Sequence, residues 1–475
     1  MRAALLRLLS LSLVFSSLAW AADPGIPEDW IDPFSATFEA IEPARLESQR
    51  FELSNGMVVF LLEDHDLPLI EGVVYVRAPS VFDPEDQAGL AAMTANLLRG
   101  GGAAGLSADA IDEQLEFLAA SIESSASDAF ASLSFSALSD TIDDVLPLFA
   151  DILRQPDFDE ARLEIERGQQ LEAIRRQNDN PVQIAAREFF ARIAQGHPSG
   201  YYPTEATINA ISRDDLVDFH QRFFAPNVSY LAVSGDFDSA DMLAQLEAIF
   251  ADWPARELVQ PELPAFNPEP EPLIFFAPRE TAQSVVVMGH PSVYAYSDAY
   301  NVLRVANGIL GGEGFSSRIV NEVRTRRGLA YSTASALSQG FDTPGLFYAF
   351  SFSRGDATGE VIEALLEQIS VFRQEGVSAS ELERQQNIIL NRAVFRFASS
   401  RDVVQRDARA ELWGLEPDYY ETHIERVQAL TTEDILRVAQ QELHPERMMM
   451  VVVGDPDSFD RPLEDFGEVV TIELP

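Results

Sequence analysis

Arg324 and Tyr331 are the two side chains whose types and spacing best suit the binding of a peptide. We predict that Arg324 lies in the last turn of a helix that ends at Gly328, because glycine readily adopts the left-handed conformation that terminates helices. Tyr331 would then lie just past the end of the helix, in a strand, so the two side chains should come close together. A guanidinium and a phenol side by side can hold a peptide carbonyl or a carboxylate.

The segment before Arg324 begins with a glycine-rich turn, Gly311-Gly312-Glu313-Gly314, and continues as a predicted helix. Three apolar side chains of that helix recur at four-residue spacing and should share one buried stripe: Phe315, Ile319 and Val323. The helix after the turn therefore has one face for a core, and its last turn presents Arg324.

This run resembles the second-half signature of the insulinase-like zinc peptidases, a family that includes the mitochondrial processing peptidase. It matches without a gap in three groups: Gly311-Gly312 through Phe315-Ser316-Ser317-Arg318, Asn321-Glu322-Val323-Arg324, and Arg327-Gly328-Leu329-Ala330-Tyr331-Ser332. In that family an arginine and a tyrosine seven residues later reach substrate at the zinc of the first half. The resemblance gives that role to Arg324 and Tyr331. The structural alternative is that Arg324 offsets a helix C-terminus and Tyr331 packs in a core.

The zinc site that the resemblance implies is degenerate in this sequence. The family's first half carries H-x-x-E-H on a helix, in which two histidines bind zinc and the glutamate activates water. Here the histidine positions hold Ala92 and Asn96, and the glutamate position holds Ala95. Alanine has no donor atom and an amide oxygen is a poor zinc ligand, so we expect no metal on this chain.

Glu172 is the best match to the family's third zinc ligand, a downstream glutamate. One carboxylate cannot hold catalytic zinc, so we expect Glu172 to be a relic or part of a surface network. The six histidines are widely separated along the chain, which gives little support to a replacement metal cluster. The sequence also lacks a G-x-S-x-G elbow, a cysteine nucleophile and a phosphate loop.

The first residues have the features of a secretory signal peptide. Arg2 and Arg7 precede an apolar stretch that ends in Ala19-Trp20-Ala21, and we expect cleavage after Ala21. The absence of cysteine excludes disulfides and a lipid anchor through cysteine. No other stretch is apolar enough to span a membrane, so we expect an exported, periplasmic protein. The net charge of −42 opposes binding to nucleic acid or anionic lipid.

A repeated pattern indicates that one αβ unit has been duplicated. Two segments carry the same features in the same register: Ser212…Pro226…Gly235-Asp236 and Thr431…Pro445…Gly454-Asp455. In both, a helix with Ser or Thr at its start leads through proline into a strand. We therefore predict an α+β fold with two duplicated halves, each an antiparallel-rich sheet with helices on one face. The resemblance implies the same architecture, with paired halves around a peptide-holding cavity.

The composition of the chain divides it into five expected segments. They are a signal peptide (1–21), an extended N-terminal arm rich in proline and acid (22–49), a first peptidase-like half (50–253), a proline-rich linker (254–272) and a second half with the arginine–tyrosine pair (273–475).

The leading hypothesis is an inactive subunit of a periplasmic insulinase-like zinc peptidase. It would give Arg324 and Tyr331 to a heterodimer partner that bears H-x-x-E-H and zinc, and would not be active alone. The glycine turn, through Gly311, Gly312 and Gly314, would let the peptide approach closely. Two alternatives are a stand-alone peptide-binding or scaffold protein, and an autonomous hydrolase with an unrecognised site.

Overall fold

Two mixed β-sheets and their helices form the part of the chain that the computed structural model describes, residues 46–127, 129–257, 260–266, 273–396, 399–416 and 418–474. These residues belong to one compact unit, Pro43–Pro475. The expected signal peptide, most of the expected arm and parts of the expected linker lie outside the described residues.

The first sheet is built from six strands: β1 (Gln49–Glu52), β2 (Val58–Glu63), β3 (Leu69–Val76), β4 (Ser121–Ala126), β5 (Ala131–Leu138) and β6 (Ser229–Gly235). Their spatial order is β1-β2-β6-β3-β5-β4, and only the β2–β6 pair is parallel. The helices of this part of the chain are α1 (Leu90–Gly100), α2 (Ala108–Leu118), α3 (Ile142–Arg154), α4 (Glu160–Arg176), α5 (Pro181–Ile193), α6 (Glu205–Ala210), α7 (Arg213–Phe223) and α8 (Ser239–Phe250).

The second sheet also has six strands: β7 (Leu273–Pro278), β8 (Gln283–Pro291), β9 (Ala330–Leu337), β10 (Leu346–Arg354), β11 (Met449–Gly454) and β12 (Glu468–Thr471). Their order is β12-β7-β11-β8-β10-β9, with β7 parallel to both of its neighbours and the other pairs antiparallel. The helices are α9 (Asp298–Asn307), α10 (Thr358–Glu375), α11 (Ala379–Arg396), α12 (Ser400–Leu412), α13 (Tyr419–Ala429) and α14 (Thr432–Glu442).

Five neighbouring strands of the first sheet, in the order β2-β6-β3-β5-β4, correspond one to one to five strands of the second sheet, in the order β7-β11-β8-β10-β9. The helices that precede the corresponding strands β6 and β11 in the chain are also alike: α7 and α14 both begin with a capping box. In the first, Ser212 and Asp215 exchange hydrogen bonds, and in the second Thr431 and Asp434 do so. The predicted α+β fold with two duplicated halves is confirmed.

Each sheet packs one face against helices of its own half. Strand residues alternate between the faces, so Val59 and Leu61 of β2 point to the cluster formed with α1, α3, α7 and α8. In the second sheet Ile274 and Phe276 of β7 point to the cluster formed with α9, α10 and α14. This is the arrangement that the sequence predicted for each half.

The opposite face of each sheet is covered by one helix from the other half of the chain. Val58 and Phe60 of β2 pack against Val404, Ala408 and Leu412 of α12. In the same way Phe275 and Ala277 of β7 pack against α5, which contributes these buried side chains: Ile184, Ala185, Phe189 and Ile193. The two halves therefore exchange a helix, which the sequence analysis did not predict.

Polar contacts reinforce the exchange around α12. Arg50 donates two hydrogen bonds to Glu411, at 2.7 and 2.6 Å, and Arg401 donates to Glu71 at 2.8 Å. Arg77 of the first half forms an ion pair with Asp342 of the second, and its guanidinium lies over the ring of Trp413. Because both partners of the Arg77 pair are largely buried, this pair is screened by solvent less than the others.

Candidate functional site

Arg324 lies in a short π-helical segment, Val320–Arg326, rather than in a regular α-helix. Its neighbours Ile319 and Val323 are fully buried in the core of the second half, as the spacing predicted. Phe315 is 64% exposed, so the prediction that it shares their buried stripe is wrong. The reason is local: a separate 3₁₀ turn, Gly314–Ser316, precedes the helix, and Ser317 between them is extended, so helical periodicity does not run through.

Tyr331 lies at a β-bulge at the start of β9. Ser332 pairs with Phe352 and Ala330 pairs with Ser353, so Tyr331 is the extra residue with no partner on β10. A bulge redirects the side chain that it carries, and bulges are frequent beside functional sites. Gly328 precedes it with φ +64°, which confirms the left-handed stop that the sequence predicted. The π-helix and the bulge thus redirect the two candidate residues from either side of Gly328.

The guanidinium of Arg324 lies between two aromatic rings. Its Cζ atom is 4.4 Å from the ring centroid of Phe315 and 4.1 Å from that of Tyr331. The rings make no contact with each other in the described residues, so the guanidinium separates them. We call Phe315, Arg324 and Tyr331 the Arg324 cluster. The predicted proximity of Arg324 and Tyr331 is confirmed, and the alternative that Tyr331 packs in a core is wrong, because Tyr331 is 79% exposed.

No acceptor within the described residues takes a hydrogen bond or ion pair from Arg324, although Asp and Glu number 76 in this chain. Glu322, the acidic residue closest in sequence, accepts from both Arg326 and Arg327 at 2.7 Å. Arg318, at the start of the helix, donates two bonds to Glu381 at 2.7 and 2.8 Å. These bonds lower the pKa of Glu381 to about 2 against the opposing effect of burial. Arg324 therefore keeps its charge and N–H groups available.

The three glycines of the turn have different surroundings. Gly311 is buried against β9: a Cβ there would overlap the Ser335 hydroxyl and lie 2.6 Å from the Ser335 backbone nitrogen. A Cβ on Gly312 would lie 2.8 Å from the side-chain amide of Asn307. Gly314 has φ +54° and open space around its Cα, so it alone of the three faces an unfilled region. Close packing on β9 accounts for Gly311 without a ligand.

The degenerate metal positions lie on α1 and α4. Ala95 is fully buried and Ala92 is partly buried, whereas Asn96 is exposed and donates to Glu166 at 2.9 Å. Glu172 forms an ion pair with Arg176 at 2.7 Å and a longer one with Arg175. Of the two alternatives expected for Glu172, a relic or part of a surface network, these contacts match the surface network. Within the described ranges no three His, Asp or Glu side chains form a group that could hold a metal ion. The donor set does not fit zinc, because the two histidine positions hold Ala92, which has no donor atom, and Asn96, whose amide oxygen is a poor zinc ligand.

Arg324 and α1 adjoin the cores of different halves. Met93 and Leu97 of α1 belong to the core between the first sheet and the helices of the first half. Val323, next to Arg324, belongs to the core between the second sheet and the helices of the second half. The structure thus brings Arg324 and Tyr331 together but does not bring them to the degenerate metal positions.

Phe315 is the member of the Arg324 cluster that the sequence analysis did not assign to the site. The available signal was its place immediately after the glycine turn, where a helix had not yet begun. None of the helices in the described part of the chain is both long and apolar enough to cross a bilayer.

Solved structures share this fold. A peptidase M16 inactive domain from Pseudomonas fluorescens superposes with a TM-score of 0.81 at 24% identity, covering 88% of this chain and 100% of that one. The periplasmic protease PqqL from Escherichia coli superposes with a TM-score of 0.75 at 14% identity. That match covers 89% of this chain and 47% of PqqL, so this chain spans about half of that protein.

Sequence comparisons match both halves to one family. The model of insulinase (peptidase family M16) matches residues 59–202, and that of the peptidase M16 inactive domain matches residues 210–389. An uncharacterized zinc protease of Streptomyces coelicolor is 27% identical over 66% of this chain and 70% of its own length. A non-peptidase homologue, YmxG of Helicobacter pylori, is 22% identical over 84% of this chain and 91% of its own length. This chain belongs to the insulinase-like peptidase family M16, as a member without the H-x-x-E-H motif.

Proposed function

We propose that this chain is a non-catalytic subunit of an insulinase-like zinc peptidase and holds the peptide for a partner that bears H-x-x-E-H. The observation that carries the proposal is the Arg324 cluster, in which a half-buried guanidinium lies between two exposed rings and no acceptor in the described chain pairs with it. In the same chain Ala92 and Asn96 replace the two zinc-binding histidines, and Ala95 replaces the glutamate that activates water. A chain that has residues suited to binding a peptide, but lacks the residues that bind zinc and activate water, fits a subunit that completes the active site of another chain.

The positions of the two sites support the need for a partner. The Arg324 cluster belongs to the second half and α1 to the first, and their buried neighbours lie in separate cores. A peptide held at Arg324 meets no metal ligands on α1 of its own chain, because the histidine positions there hold Ala92 and Asn96. It can lie at the zinc of a second chain that presents its first half to this surface, which favours a heterodimer.

Zinc on the partner would supply a hydroxide nucleophile and polarise the scissile carbonyl. On this chain, Arg324 would donate hydrogen bonds to the peptide backbone or to the oxygen that gains negative charge, and Tyr331 would donate to the same oxygen. The rings of Phe315 and Tyr331 restrain the guanidinium before the peptide arrives, so less side-chain entropy is lost on binding. Gly314 would leave room for the peptide beside them.

The N-terminal sequence supports export of the subunit to the periplasm. A charged start, an apolar stretch and Ala19-Trp20-Ala21 form a secretory signal. The fold neighbour PqqL is described as a periplasmic protease, which agrees with that location. N-terminal sequencing of the protein from a periplasmic extract should begin at Ala22, and recovery of the intact N-terminus from cytoplasm alone would contradict the assignment.

The test is to co-express this chain with an H-x-x-E-H peptidase encoded beside it, and to assay each chain alone and both together. We expect peptide cleavage only from the pair. Arg324→Ala should lower the rate by roughly 10²–10³ without changing assembly, because one donor to the developing charge is lost. The matched control is Arg304→Ala, which removes an arginine that also lies over a tyrosine ring, Tyr300, but outside the Arg324 cluster.

Two results would contradict the proposal. Unchanged turnover in the assembled Arg324→Ala pair would remove the cluster from the reaction. Cleavage by this chain alone, with one zinc bound per chain, would make it an autonomous hydrolase.

The second candidate function is a stand-alone peptide-binding or scaffold protein. It is favoured by the printed description of the Helicobacter pylori relative as a non-peptidase homologue. Affinity purification from the native cell decides between the two. Recovery of an H-x-x-E-H chain in equal amount supports the subunit, and recovery of this chain alone with bound, uncut peptide supports the scaffold.

A further inference from the structure

We infer that Asn307 is a positioning residue for the Arg324 cluster, because it joins the glycine turn to β9 at Ser335. The inference rests on the proposed function and adds a residue that acts on the reaction through the cluster. Asn307 is the last residue of α9 and lies directly before a second π-helical segment, Gly308–Gly312, which leads into the glycine turn. The two aromatic rings over Arg324 belong to the two chain segments that Asn307 joins.

The side chain of Asn307 makes two contacts with one residue of β9. Its Oδ1 accepts a hydrogen bond from the Ser335 hydroxyl at 2.7 Å, and its Nδ2 donates to the Ser335 carbonyl at 3.4 Å. Ser335 is 3% exposed and Asn307 is partly buried, so water competes little for these bonds. Because the hydroxyl needs an acceptor and the carbonyl needs a donor, an amide satisfies both from one position.

The glycine turn packs closely against the same two residues. A Cβ on Gly311 would lie 2.6 Å from the Ser335 nitrogen, and a Cβ on Gly312 would lie 2.8 Å from Nδ2 of Asn307. Both distances are shorter than real Cβ contacts, so only glycine allows the turn to approach β9 and Asn307 this closely. The turn therefore has a fixed place beside Ser335.

Phe315 is held to the glycine turn by short hydrogen bonds. The hydroxyl of Ser316 donates to the Glu313 carbonyl at 2.8 Å, and the hydroxyl of Ser317 donates to the Gly314 carbonyl at 2.6 Å. These bonds close the backbone around Phe315, so its ring follows the position of the glycine turn.

Tyr331 is tied to the same place through β9. It lies four positions before Ser335, about 13 Å along a strand that is paired with β10. In the other segment, the chain from Gly312 to Phe315 spans at most about 11 Å. The positions of both rings therefore depend on the contact at Ser335, and a shift of the glycine turn relative to β9 changes the gap in which the guanidinium of Arg324 lies.

Removal of the Asn307 amide should displace the cluster and slow the reaction of the assembled pair. We expect Asn307→Ala to lower kcat about tenfold and to change KM by less than about twofold, because a misplaced Arg324 stabilises the transition state less. The decisive measurement is the double variant Asn307→Ala/Arg324→Ala. It should turn over at the rate of Arg324→Ala alone, since a residue that acts through Arg324 has no effect once Arg324 is removed.

Asn301→Ala is the matched control. Asn301 also lies on α9, is 7% exposed, and accepts a hydrogen bond at 3.4 Å from the hydroxyl of Tyr419, which is outside the Arg324 cluster. Each substitution removes one amide from the same helix, so both should lower the unfolding temperature, but only Asn307→Ala should lower kcat. If Asn307→Ala fails to fold, Ser335→Ala makes the same test by removing one hydroxyl.

Fluorine NMR of this chain alone reports the cluster directly. The eleven tyrosines are replaced with fluorotyrosine, and the signal of Tyr331 is identified by its loss in Tyr331→Phe. Arg324→Gln gives the chemical shift of Tyr331 without a cation over its ring. Asn307→Ala should move the Tyr331 signal towards that value, whereas Asn301→Ala should leave it in place and move the signal of Tyr419.

The outcomes separate this inference from the proposed function. An unmoved Tyr331 signal in Asn307→Ala, or a further loss of kcat when Asn307→Ala is added to Arg324→Ala, would overturn the inference. If Asn307→Ala moves the signal but Arg324→Ala leaves cleavage unchanged, Asn307 positions the cluster and the proposed function is wrong. If Arg324→Ala lowers cleavage but Asn307→Ala turns over as fast as Asn301→Ala, only this inference is wrong.

Discussion

Arg324 owes its surroundings to two departures from regular structure, one on each side of Gly328. The π-helical turn places Arg324, and the bulge places Tyr331, so that the guanidinium meets the ring 4.1 Å away. The spacing of the two residues around a glycine stop was enough to predict that they meet. It was not enough to predict Phe315, because the break at Ser317 is a backbone conformation that apolar spacing does not encode.

Tyr331 has two separable parts in this arrangement, a ring that covers Arg324 and a hydroxyl that can donate to the peptide. Tyr331→Phe keeps the cation–π contact, which contributes about 0.5–1 kcal/mol at an exposed site, and removes only the hydroxyl. We expect it to lower turnover of the assembled pair while leaving peptide affinity for the chain alone nearly unchanged. Tyr331→Ala should lower both, because the guanidinium then loses one of its restraining rings.

Steady-state kinetics of the pair and equilibrium binding to the single chain check this prediction together. A Tyr331→Phe variant that loses peptide affinity as strongly as Tyr331→Ala would show that the hydroxyl, and not the ring, holds the ligand. Mutation of Tyr296, another exposed tyrosine, to alanine is the matched control and should change neither quantity.

At the scale of elements, the sequence predicted the units that have local signals. Ser212 and Thr431, the residues predicted to begin two repeated helices, are the N-caps of α7 and α14, and each forms a capping box with the aspartate three residues later. The exchanged helices α5 and α12 have no such signal. An amphipathic pattern says that a helix has a buried face, and it does not say which sheet covers that face.

One buried histidine joins two elements of the second half and should make its stability depend on pH. The Nε2 of His290, at the end of β8, accepts a hydrogen bond from the backbone N–H of His444, after α14. Burial is the main cause that lowers the pKa of His290 to about 4, and His444 and Arg447 act in the same direction while Glu446 opposes them. Unfolded histidine takes up its proton near pH 6.5, so the unfolded state binds more protons between these values. Stability is therefore lost as the pH falls from about 6.5 to 4.

Urea unfolding at pH 7.5 and 5.5 measures the effect. Between these two pH values the free energy of unfolding of the wild-type chain should fall by about 1.4 kcal/mol more than that of His290→Gln, since one pKa unit corresponds to about 1.4 kcal/mol. Substitution of His65 is a control of opposite sign. The hydrogen bond to Asp236 raises the pKa of His65, so replacing His65 should not reduce the loss of stability between pH 7.5 and 5.5. Equal losses for wild type and His290→Gln would show that His290 does not titrate as the structure requires.

At the scale of the whole molecule, the helix exchange makes the two halves dependent on each other. Without α12 the first sheet would expose Val58, Phe60 and Tyr75, and without α5 the second would expose Phe275 and Val287. Apolar burial contributes roughly 25 cal/mol per Å², so each uncovered face is a large loss and a surface that aggregates.

This dependence predicts the behaviour of a chain divided within the proline-rich segment. Residues 22–257 and 260–475, produced as separate chains in one cell, should copurify as one complex, because α5 and α12 can still reach the sheets that they cover. Either part produced alone should be insoluble or should bind dyes that report exposed apolar surface. Ala408→Arg, at a fully buried position of α12, should prevent association of the parts, whereas Asp402→Asn, at an exposed position of the same helix, should not. Two parts that are each soluble and monomeric would show that the halves fold independently and that neither sheet requires the helix of the other half.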